Sequence, residues 1–171
     1  LTMIKRMLTA ASVTLILSSG FAQSNTIYFE LLGNGLLYSL NYDRMVTDNI
    51  SVRAGYGGLT VSQMRADPTG FGIITEDVKI TMIPVLANYL RGEGNHKLEM
   101  GAGVVLVSVD WTGTMEELGS FSLGADGAIP TGNFGYRYQK SEGGFFFKAS
   151  LCPFFAETMV TSVGLGFGYS F

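Results

Sequence analysis

Histidine and cysteine are almost missing from this chain of 171 residues, which contains one of each, His96 and Cys152. A single cysteine cannot form an internal disulfide, and one residue of each kind is no ligand set for a metal. Basic clusters are missing as well: residues 23–171 carry nine Lys and Arg against 14 Asp and Glu, a net charge of −5. We therefore predict no metal, no cofactor and no nucleic-acid partner.

Long apolar runs are also absent after residue 22. No window there reaches 18 consecutive apolar residues, which excludes membrane-spanning helices. Yet 47% of the chain is hydrophobic, only 15% is charged, and 23 residues are glycine. A soluble domain of this size would carry more charge. A transmembrane β-barrel explains the combination, because its lipid-facing apolar residues alternate with small or polar residues of the lumen.

A secretory signal peptide is predicted at residues 1–22. Two basic residues precede the apolar run 7–17, the small residues Gly20 and Ala22 follow it, and cleavage is predicted after Ala22. The alternative is a short transmembrane anchor, which is disfavoured because the run is well below the ~20 residues that span a bilayer. Residues 23–171 are predicted to form one domain.

The last eleven residues, 161–171, show the clearest strand pattern. Glycine or serine fills every second position, and apolar side chains alternate with them. Because side chains alternate across a strand, one face is apolar and the other is small and polar. The small face suits a crowded barrel interior, and the apolar face suits lipid. The apolar positions are Val163, Leu165, Phe167, Tyr169 and Phe171.

Seven further strands precede this one, so the predicted fold is all-β, an eight-stranded antiparallel up-and-down transmembrane β-barrel. Each strand is near the ~9–11 residues that span a bilayer when tilted. The facing of strands four and five is left open, because Val104–Val107 is apolar on both faces. The predicted strands cover residues 26–33, 36–45, 50–63, 78–90, 97–111, 131–140, 145–155 and 159–171.

Short and long connections alternate along the chain. Short turns at 47–49, 91–96 and 141–144 alternate with predicted long loops at 64–77 and 112–129. With the C-terminal end in the periplasm, the three short turns face the periplasm and the long loops face outward, as in bacterial barrels.

Aromatic residues cluster near the predicted periplasmic ends of the strands. Amphipathic rings prefer the headgroup level of a bilayer, so the cluster is interpreted as an aromatic girdle rather than a soluble β-core. The predicted periplasmic girdle contains Tyr42, Tyr89, Tyr138, Phe145 and Tyr169, and Trp111 and Phe155 are candidates for the upper girdle.

The chain resembles the small outer-membrane barrels of the OmpA/OmpX-like kind. The resemblance rests on the leader, on the terminal strand that ends in Phe171, and on two internal segments, Gly33–Arg44 and Ile83–Leu90. The resemblance implies an integral protein of the Gram-negative outer membrane, surrounded by lipid and lipopolysaccharide. It also implies that the barrel-assembly machinery reads the strand ending at Phe171 during biogenesis. The chain departs from the long protruding hairpins of some adhesive members.

Charged residues fall on predicted lumen positions, with Asn41 and Gln139 beside them. An eight-stranded barrel is only wide enough inside for side chains, and buried charges must be paired. We interpret the charges as a salt-bridge network that plugs the barrel; a gated ion path is the alternative. The predicted network contains Glu30, Asp43, Arg53, Glu99, Arg137 and Lys148.

The predicted role is structural or surface-interacting, with no enzymatic activity. A narrow passive channel is the first alternative, and a lipid-modifying enzyme is the second. The enzyme is disfavoured because His96 lies in a predicted periplasmic turn, away from an outer-leaflet substrate. Acidic residues of the outer loops could hold Ca²⁺ or Mg²⁺ that bridge lipopolysaccharide, although solvated charge is the simpler interpretation. A soluble lipocalin-like barrel is the structural rival, and it would place the apolar residues inside.

Overall fold

Eight antiparallel strands close into a barrel in chain order, β1 to β8, in the computed structural model, which describes residues 24–66, 73–115 and 119–171. This confirms the predicted eight-stranded antiparallel barrel. The predicted signal peptide at 1–22 lies outside the described residues. The strands are β1 Asn25–Leu32, β2 Tyr38–Met45, β3 Ile50–Ala66, β4 Ile73–Glu93, β5 His96–Met115, β6 Gly119–Gln139, β7 Gly144–Phe155 and β8 Met159–Ser170. None of the described residues belongs to a helix long and apolar enough to cross a membrane.

The first and last strands close the barrel. β1 and β8 pair from Thr26↔Ser170 to Leu32↔Gly164, and the hydroxyls of Thr26 and Ser170 lie 2.7 Å apart inside the barrel. Asn25 and Phe171 exchange two backbone hydrogen bonds of 2.8 Å below this ladder. Closure leaves neither strand with a free edge, which is the requirement for a sheet in lipid.

Four neighbouring strands are longer than the other four. β3 to β6 contain 17, 21, 20 and 21 residues, whereas β1 and β2 contain eight each and β7 and β8 contain 12 each. β2 pairs with β3 as far as Gly57, and β7 pairs with β6 as far as Thr131. Above these positions, β3 to β6 pair with one another in unbroken register and project beyond the shorter strands.

The prediction of long loops at 64–77 and 112–129 is wrong. Strands β3 to β6 continue through both segments, apart from residues 67–72 and 116–118, which lie outside the described residues. The segments contain Gly, Ser, Thr and acidic residues, whose individual β-propensity is low or mixed. Pairing with a neighbouring strand in register overrides that weak local preference. The expectation that this chain lacks long protruding hairpins is therefore wrong as well.

The unbroken register also settles which face each side chain occupies in β4 and β5. Val104 points outward and Val105 is completely buried inside. Trp111 shares the inner side of β5 with Val105 and Glu99, because the three differ by even numbers of residues and no bulge lies between them. The expectation that Trp111 belongs to an outward-facing upper girdle is therefore wrong, whereas Phe155 does point outward and is exposed.

Candidate functional site

The interior near the short turns is filled with charged and amide side chains. Six strands each contribute inward positions, and the charges of the sequence-predicted network meet there from strands that are distant in the chain. The charged side chains are completely buried. The buried charged residues are Glu30, Asp43, Arg53, Glu99, Arg137 and Lys148, with Asn41 and Gln139 among them.

Arg137 of β6 is the centre of the lower part of this network. Its guanidinium donates two hydrogen bonds to the carboxylate of Asp43 across the barrel, at 3.1 and 2.8 Å. Its Nε lies 2.5 Å from Oε2 of Glu99, and the Nζ of Lys148 donates to Oε1 of the same carboxylate at 2.6 Å. The contact with Glu99 lacks hydrogen-bond geometry, so Arg137 is hydrogen-bonded to Asp43 and paired with Glu99 by charge alone.

A second ion pair lies above the first group. The guanidinium of Arg53 is paired with the carboxylate of Glu30, and both side chains are fully buried. The Nε of Arg53 donates to Oδ1 of Asn41 at 3.0 Å, and its Nη1 donates to Oδ1 of Asn34 at 3.3 Å. The three cations and three carboxylates of the interior therefore balance, as the burial of charge requires.

A 3₁₀ turn, Gly33–Gly35, folds from the β1–β2 connection into the barrel and covers these ion pairs. The side-chain amide of Asn34 crosses to β6, where it donates to the hydroxyl of Thr131 at 2.8 Å and to the carbonyl of Gly132 at 3.3 Å. Positive φ angles at Leu32 and Leu36, 59° and 70°, bring the chain into and out of this turn. Such angles are strained for leucine, so tertiary contacts hold the turn in place.

Gly33 allows the turn to approach Glu30 closely. It has a φ of 67°, and a Cβ at this position would lie 2.7 Å from the Glu30 carboxyl carbon. The place of this turn in the interior was not predicted from the sequence. The Gly33-Asn34-Gly35 triplet was the available signal, because two glycines around an amide favour a tight turn with unusual dihedral angles.

An apolar cluster lies above the 3₁₀ turn, on the inner side of β4, β5, β6 and β7. Met82, Val105 and Phe154 are buried together, and Ile80, Val107 and Ile129 pack around them. The interior thus changes along the barrel axis from ion pairs, through the amide of Asn34, to hydrocarbon.

The outer surface makes the opposite change. Apolar residues such as Val85, Val104 and Phe134 occupy the outward positions of the lower barrel. A row of mutually paired outward positions then turns small or polar: Gly58, Thr81, Ser108 and Asp126. The Ser108 hydroxyl donates to the Asp126 carboxylate at 2.6 Å. Above this polar row, the next outward positions are Thr60, Lys79 and Asp110, followed by Ser62, Asp77 and Thr112.

We call the described part of β3–β6 from the polar row upward, residues 58–66, 73–81, 108–115 and 119–126, the projecting sheet. The first two rows of its inner side are apolar: Leu59 pairs with Ile80 and Ile80 with Val109, and the row above contains Val61, Val78 and Trp111. The next inner row contains Gln63 and Glu76. Val61 and Trp111 are 38% and 43% exposed, so this apolar wall is incompletely covered. Polarity is therefore inverted between the lower barrel and the projecting sheet.

The net charge of residues 23–171 comes from two segments of the sequence, 58–81 and 108–126. They contain two basic residues and seven acidic ones, a net charge of −5, and the rest of residues 23–171 contains seven of each. The basic residues are Arg65 and Lys79, and the acidic residues are Asp67, Glu76, Asp77, Asp110, Glu116, Glu117 and Asp126.

The short-turn end carries outward aromatic rings. Tyr89, Phe145 and Tyr169 are exposed, whereas Tyr42 and Tyr138 are half-buried, and the Tyr42 hydroxyl donates to Asn25 Oδ1 at 2.7 Å. In β8 the outward positions are the exposed alternating residues of the predicted assembly signal, whose recognition stays a prediction. These are Val163, Leu165, Phe167, Tyr169 and Phe171.

His96 begins β5 at the same short-turn end. Its Nδ1 lies 2.6 Å from the hydroxyl of Tyr136, and its ring packs edge-on against Tyr138 with centroids 5.3 Å apart. These contacts join it to the outward aromatic cluster. In the part of the chain that the structure describes, no group of three His, Cys, Asp or Glu side chains is arranged to hold a metal.

Comparison with protein-family models gives no match, and comparison with the sequences of curated proteins gives none either. Solved structures do match. The N-terminal β-barrel domain of Pseudomonas aeruginosa OprF aligns with a TM-score of 0.55 and 19% identity, over 90% of this chain and all of that one. The chain has the fold of the small eight-stranded outer-membrane β-barrels.

A second small outer-membrane barrel, Ail of Yersinia pestis solved with the heparin analogue sucrose octasulfate, aligns with a TM-score of 0.51. Its sequence identity to this chain is 14%, over 87% of this chain and 96% of that one. At these identities the likeness concerns the fold.

Proposed function

We propose that this small outer-membrane β-barrel is integral to the outer membrane, is closed inside, and uses its projecting sheet to contact a molecule outside the cell. The projecting sheet is the observation that carries the proposal. Strands of ~9–11 residues suffice to span a bilayer, so the additional length of β3–β6 is not needed for that purpose. Eight residues of β3, Leu59 to Ala66, extend about 26 Å beyond the polar row, measured along the strand.

The outward apolar surface below the polar row supports the membrane placement. Large side chains cover it on every strand, and the exposed rings of Tyr89, Phe145 and Tyr169 lie at its lower boundary. A soluble lipocalin-like barrel has the reverse arrangement, with apolar residues inside and polar residues outside. The fully buried ion pairs of Arg53 and Arg137 are incompatible with such an interior.

The side chains that fill the lumen support a closed interior. An eight-stranded barrel has room inside for side chains alone. Here the ion pairs fill the lower lumen, Asn34 spans it, and the cluster around Phe154 fills the part above. The expected result in planar lipid bilayers is the absence of steady large conductance steps. Steady large steps from the purified protein would instead support a passive channel and contradict the closed interior.

A narrow passive channel is the second candidate, and one observation favours it. Tyr28 Oη, Glu30 Oε1 and Asn88 Oδ1 are buried and form no hydrogen bond with the described residues. A recess of about 440 Å³, lined by Lys97, Gln139 and other residues, lies at the short-turn end. These groups could bind water along part of the lumen. A lipid-modifying enzyme has less support, because His96 lies at the end opposite the projecting sheet.

Shortening the long hairpins tests the surface role. Gly58↔Thr81 and Ser108↔Asp126 are in-register pairs, so residues 59–80 and 109–125 can each be replaced by a two-residue Asn-Gly turn. We expect the shortened barrel to fold, as a heat-dependent shift in gel mobility would show. Cells displaying the full-length chain should be retained on at least one member of a panel of immobilised purified proteins, and cells with the shortened chain should not. Equal retention would contradict the surface role.

A further inference from the structure

We infer that the recess at the short-turn end binds a small molecule that carries an oxyanion group, either a carboxylate or a phosphate. This inference concerns the end of the barrel opposite the projecting sheet, and it is independent of the proposed surface function. It follows from two observations: an inward-facing cation that the salt-bridge network leaves without a counter-charge, and a cavity that this cation lines.

Lys97 is the unmatched cation. It lies two residues before Glu99 on β5 and therefore faces inward as Glu99 does, because side chains alternate along a strand. The three carboxylates of the interior are already paired with Arg53, Arg137 and Lys148. Among the described residues, the Lys97 ammonium forms no ion pair, although its side chain is half-buried. An anion supplied from outside would provide the missing counter-charge.

The recess has the size and the donors of a small-molecule site. Its volume of about 440 Å³ is typical of ligand pockets and much larger than a single water requires. All three short turns line it: Thr47 lies between β2 and β3, Gly94 between β4 and β5, and Ser141 between β6 and β7. Hydroxyl groups can donate hydrogen bonds to an oxyanion, and lysine is a common ligand of phosphate.

The charges of the lining favour an anion over a cation. Two cations, Lys97 and Lys140, line the recess together with one carboxylate, that of Asp48. Lys140 and Asp48 are exposed, so water weakens their fields, whereas the half-buried charge of Lys97 is screened less. Met45 and Val46 add an apolar part to the lining. The matching ligand therefore joins an oxyanion group to a short apolar part.

Benzoate and phenyl phosphate are suitable probes, because each joins an oxyanion to a small apolar ring. The protein is reconstituted in nanodiscs of zwitterionic phosphatidylcholine, and binding is followed by ligand-observed NMR, with empty nanodiscs as the blank. We expect saturable binding of at least one probe at low ionic strength, and weaker binding at high salt. Tighter binding of phenyl phosphate would identify a phosphate ligand, and tighter binding of benzoate a carboxylate. Benzylamine, a cation of similar shape, should not bind.

Variants of Lys97 test the role of the unmatched cation. Lys97→Met removes the charge and keeps an apolar side chain, and it should weaken binding by at least about tenfold, because hydrogen bonds to charged groups are strong. Lys97→Arg keeps the charge and should retain binding. The matched control is Lys79→Met, which removes a lysine of the projecting sheet and should leave the affinity unchanged. Lys97→Gln serves as the test if Lys97→Met fails to show heat-dependent gel mobility.

The second lysine of the recess should contribute less. Lys140 is exposed, so Lys140→Met should weaken binding by only about threefold. A larger loss for Lys140→Met than for Lys97→Met would contradict the assignment of the site to the inward-facing cation.

The inference is overturned if neither probe binds saturably, if benzylamine binds as tightly as the anions, or if Lys97→Met leaves their binding unchanged. None of these outcomes bears on the surface role. That role is tested separately, by the retention of cells bearing full-length and shortened chains.

Discussion

Arg53 and Val61 lie on the same side of β3, eight residues apart, in opposite surroundings. Arg53 is completely buried among carboxylate and amide groups, whereas Val61 belongs to a partly exposed apolar wall. The other side of the strand changes in the reverse sense, from Ala54 and Tyr56 to Thr60 and Ser62. One continuous strand therefore serves two environments. In the proposed membrane placement, the outer side follows the change from lipid to water, and the inner side changes from ion pairs to hydrocarbon.

The lower barrel should be most sensitive to the loss of its central cation. Arg137→Met leaves the buried carboxylates of Asp43 and Glu99 without their shared partner, and we expect a loss of about 3–5 kcal/mol in the free energy of unfolding. Lys140→Met removes an exposed cation three residues away and should change stability by less than about 0.5 kcal/mol. Urea unfolding in lipid vesicles, followed by heat-dependent gel mobility, measures both. Similar stability of the two variants would show that the ion pairs do not hold the lower barrel together.

The apolar cluster joins the two regions, and its loss should affect stability nearly as much. Phe154→Ala opens a cavity beside Met82 and Val105, with an expected loss of about 3 kcal/mol. Phe155→Ala, at the next position, removes a ring that points outward and is 51% exposed, and the loss should be smaller. Urea unfolding midpoints of the two variants measure the loss at an inner position and at the adjacent outer one. A larger loss of stability for Phe155→Ala than for Phe154→Ala would mean that the apolar core does not lie on the inner side of β7.

A charge introduced on the outer side of the barrel should lower stability where that side faces lipid and leave it nearly unchanged where that side faces water. Ala102→Lys introduces a cation within the apolar band, and the expected loss is about 2–3 kcal/mol for a position near the bilayer centre. Thr60→Lys introduces the same side chain above the polar row, where stability should be nearly unchanged. Unfolding in vesicles of the two lysine variants tests where the boundary lies. Equal losses would mean that the polar row does not mark the membrane surface.

The smallest expected effect concerns the turn between the polar and apolar parts of the interior. Gly33→Ala and Gly94→Ala both place alanine at a positive φ, 67° and 59°. At Gly94 nothing lies near the added Cβ, whereas at Gly33 it meets the Glu30 carboxylate. We expect Gly33→Ala to be less stable than Gly94→Ala by about 1–2 kcal/mol. Equal unfolding midpoints would show that the turn can move away from Glu30 without loss.

Much of the barrel could be predicted from its sequence because its outer positions are apolar and its inner positions small or polar in strict alternation. Gly164, Gly166 and Gly168 between large apolar residues fix the facing of β8, and the eight strands follow by similar reasoning. The positions of the interior charges follow from the same parity. Their partners do not, because the contact of Arg137 with Asp43 joins residues 94 positions apart and depends on barrel closure.

The projecting sheet was not predictable by this reasoning. Above the polar row, polar and small residues occupy the outer side, so the alternation that identifies a lipid-facing strand is reversed. Segments such as 112–129 therefore resemble loops when the expected pattern is apolar-out. The apolar inner residues Val107, Val109 and Trp111 formed the same period-two pattern with the opposite phase. Following that phase change along β5 would have identified the extension.

The seam between β1 and β8 has a consequence for the time course of folding. Thr26 and Ser170 are 144 residues apart, yet their hydroxyls meet across the seam. Contacts of such high sequence separation form slowly, because a long loop must close before they contribute stability. Until the seam forms, β1 and β8 each present an unpaired edge that can join another unfinished copy. We expect seam formation to be the slow step of refolding into vesicles, and its yield to fall as protein concentration rises.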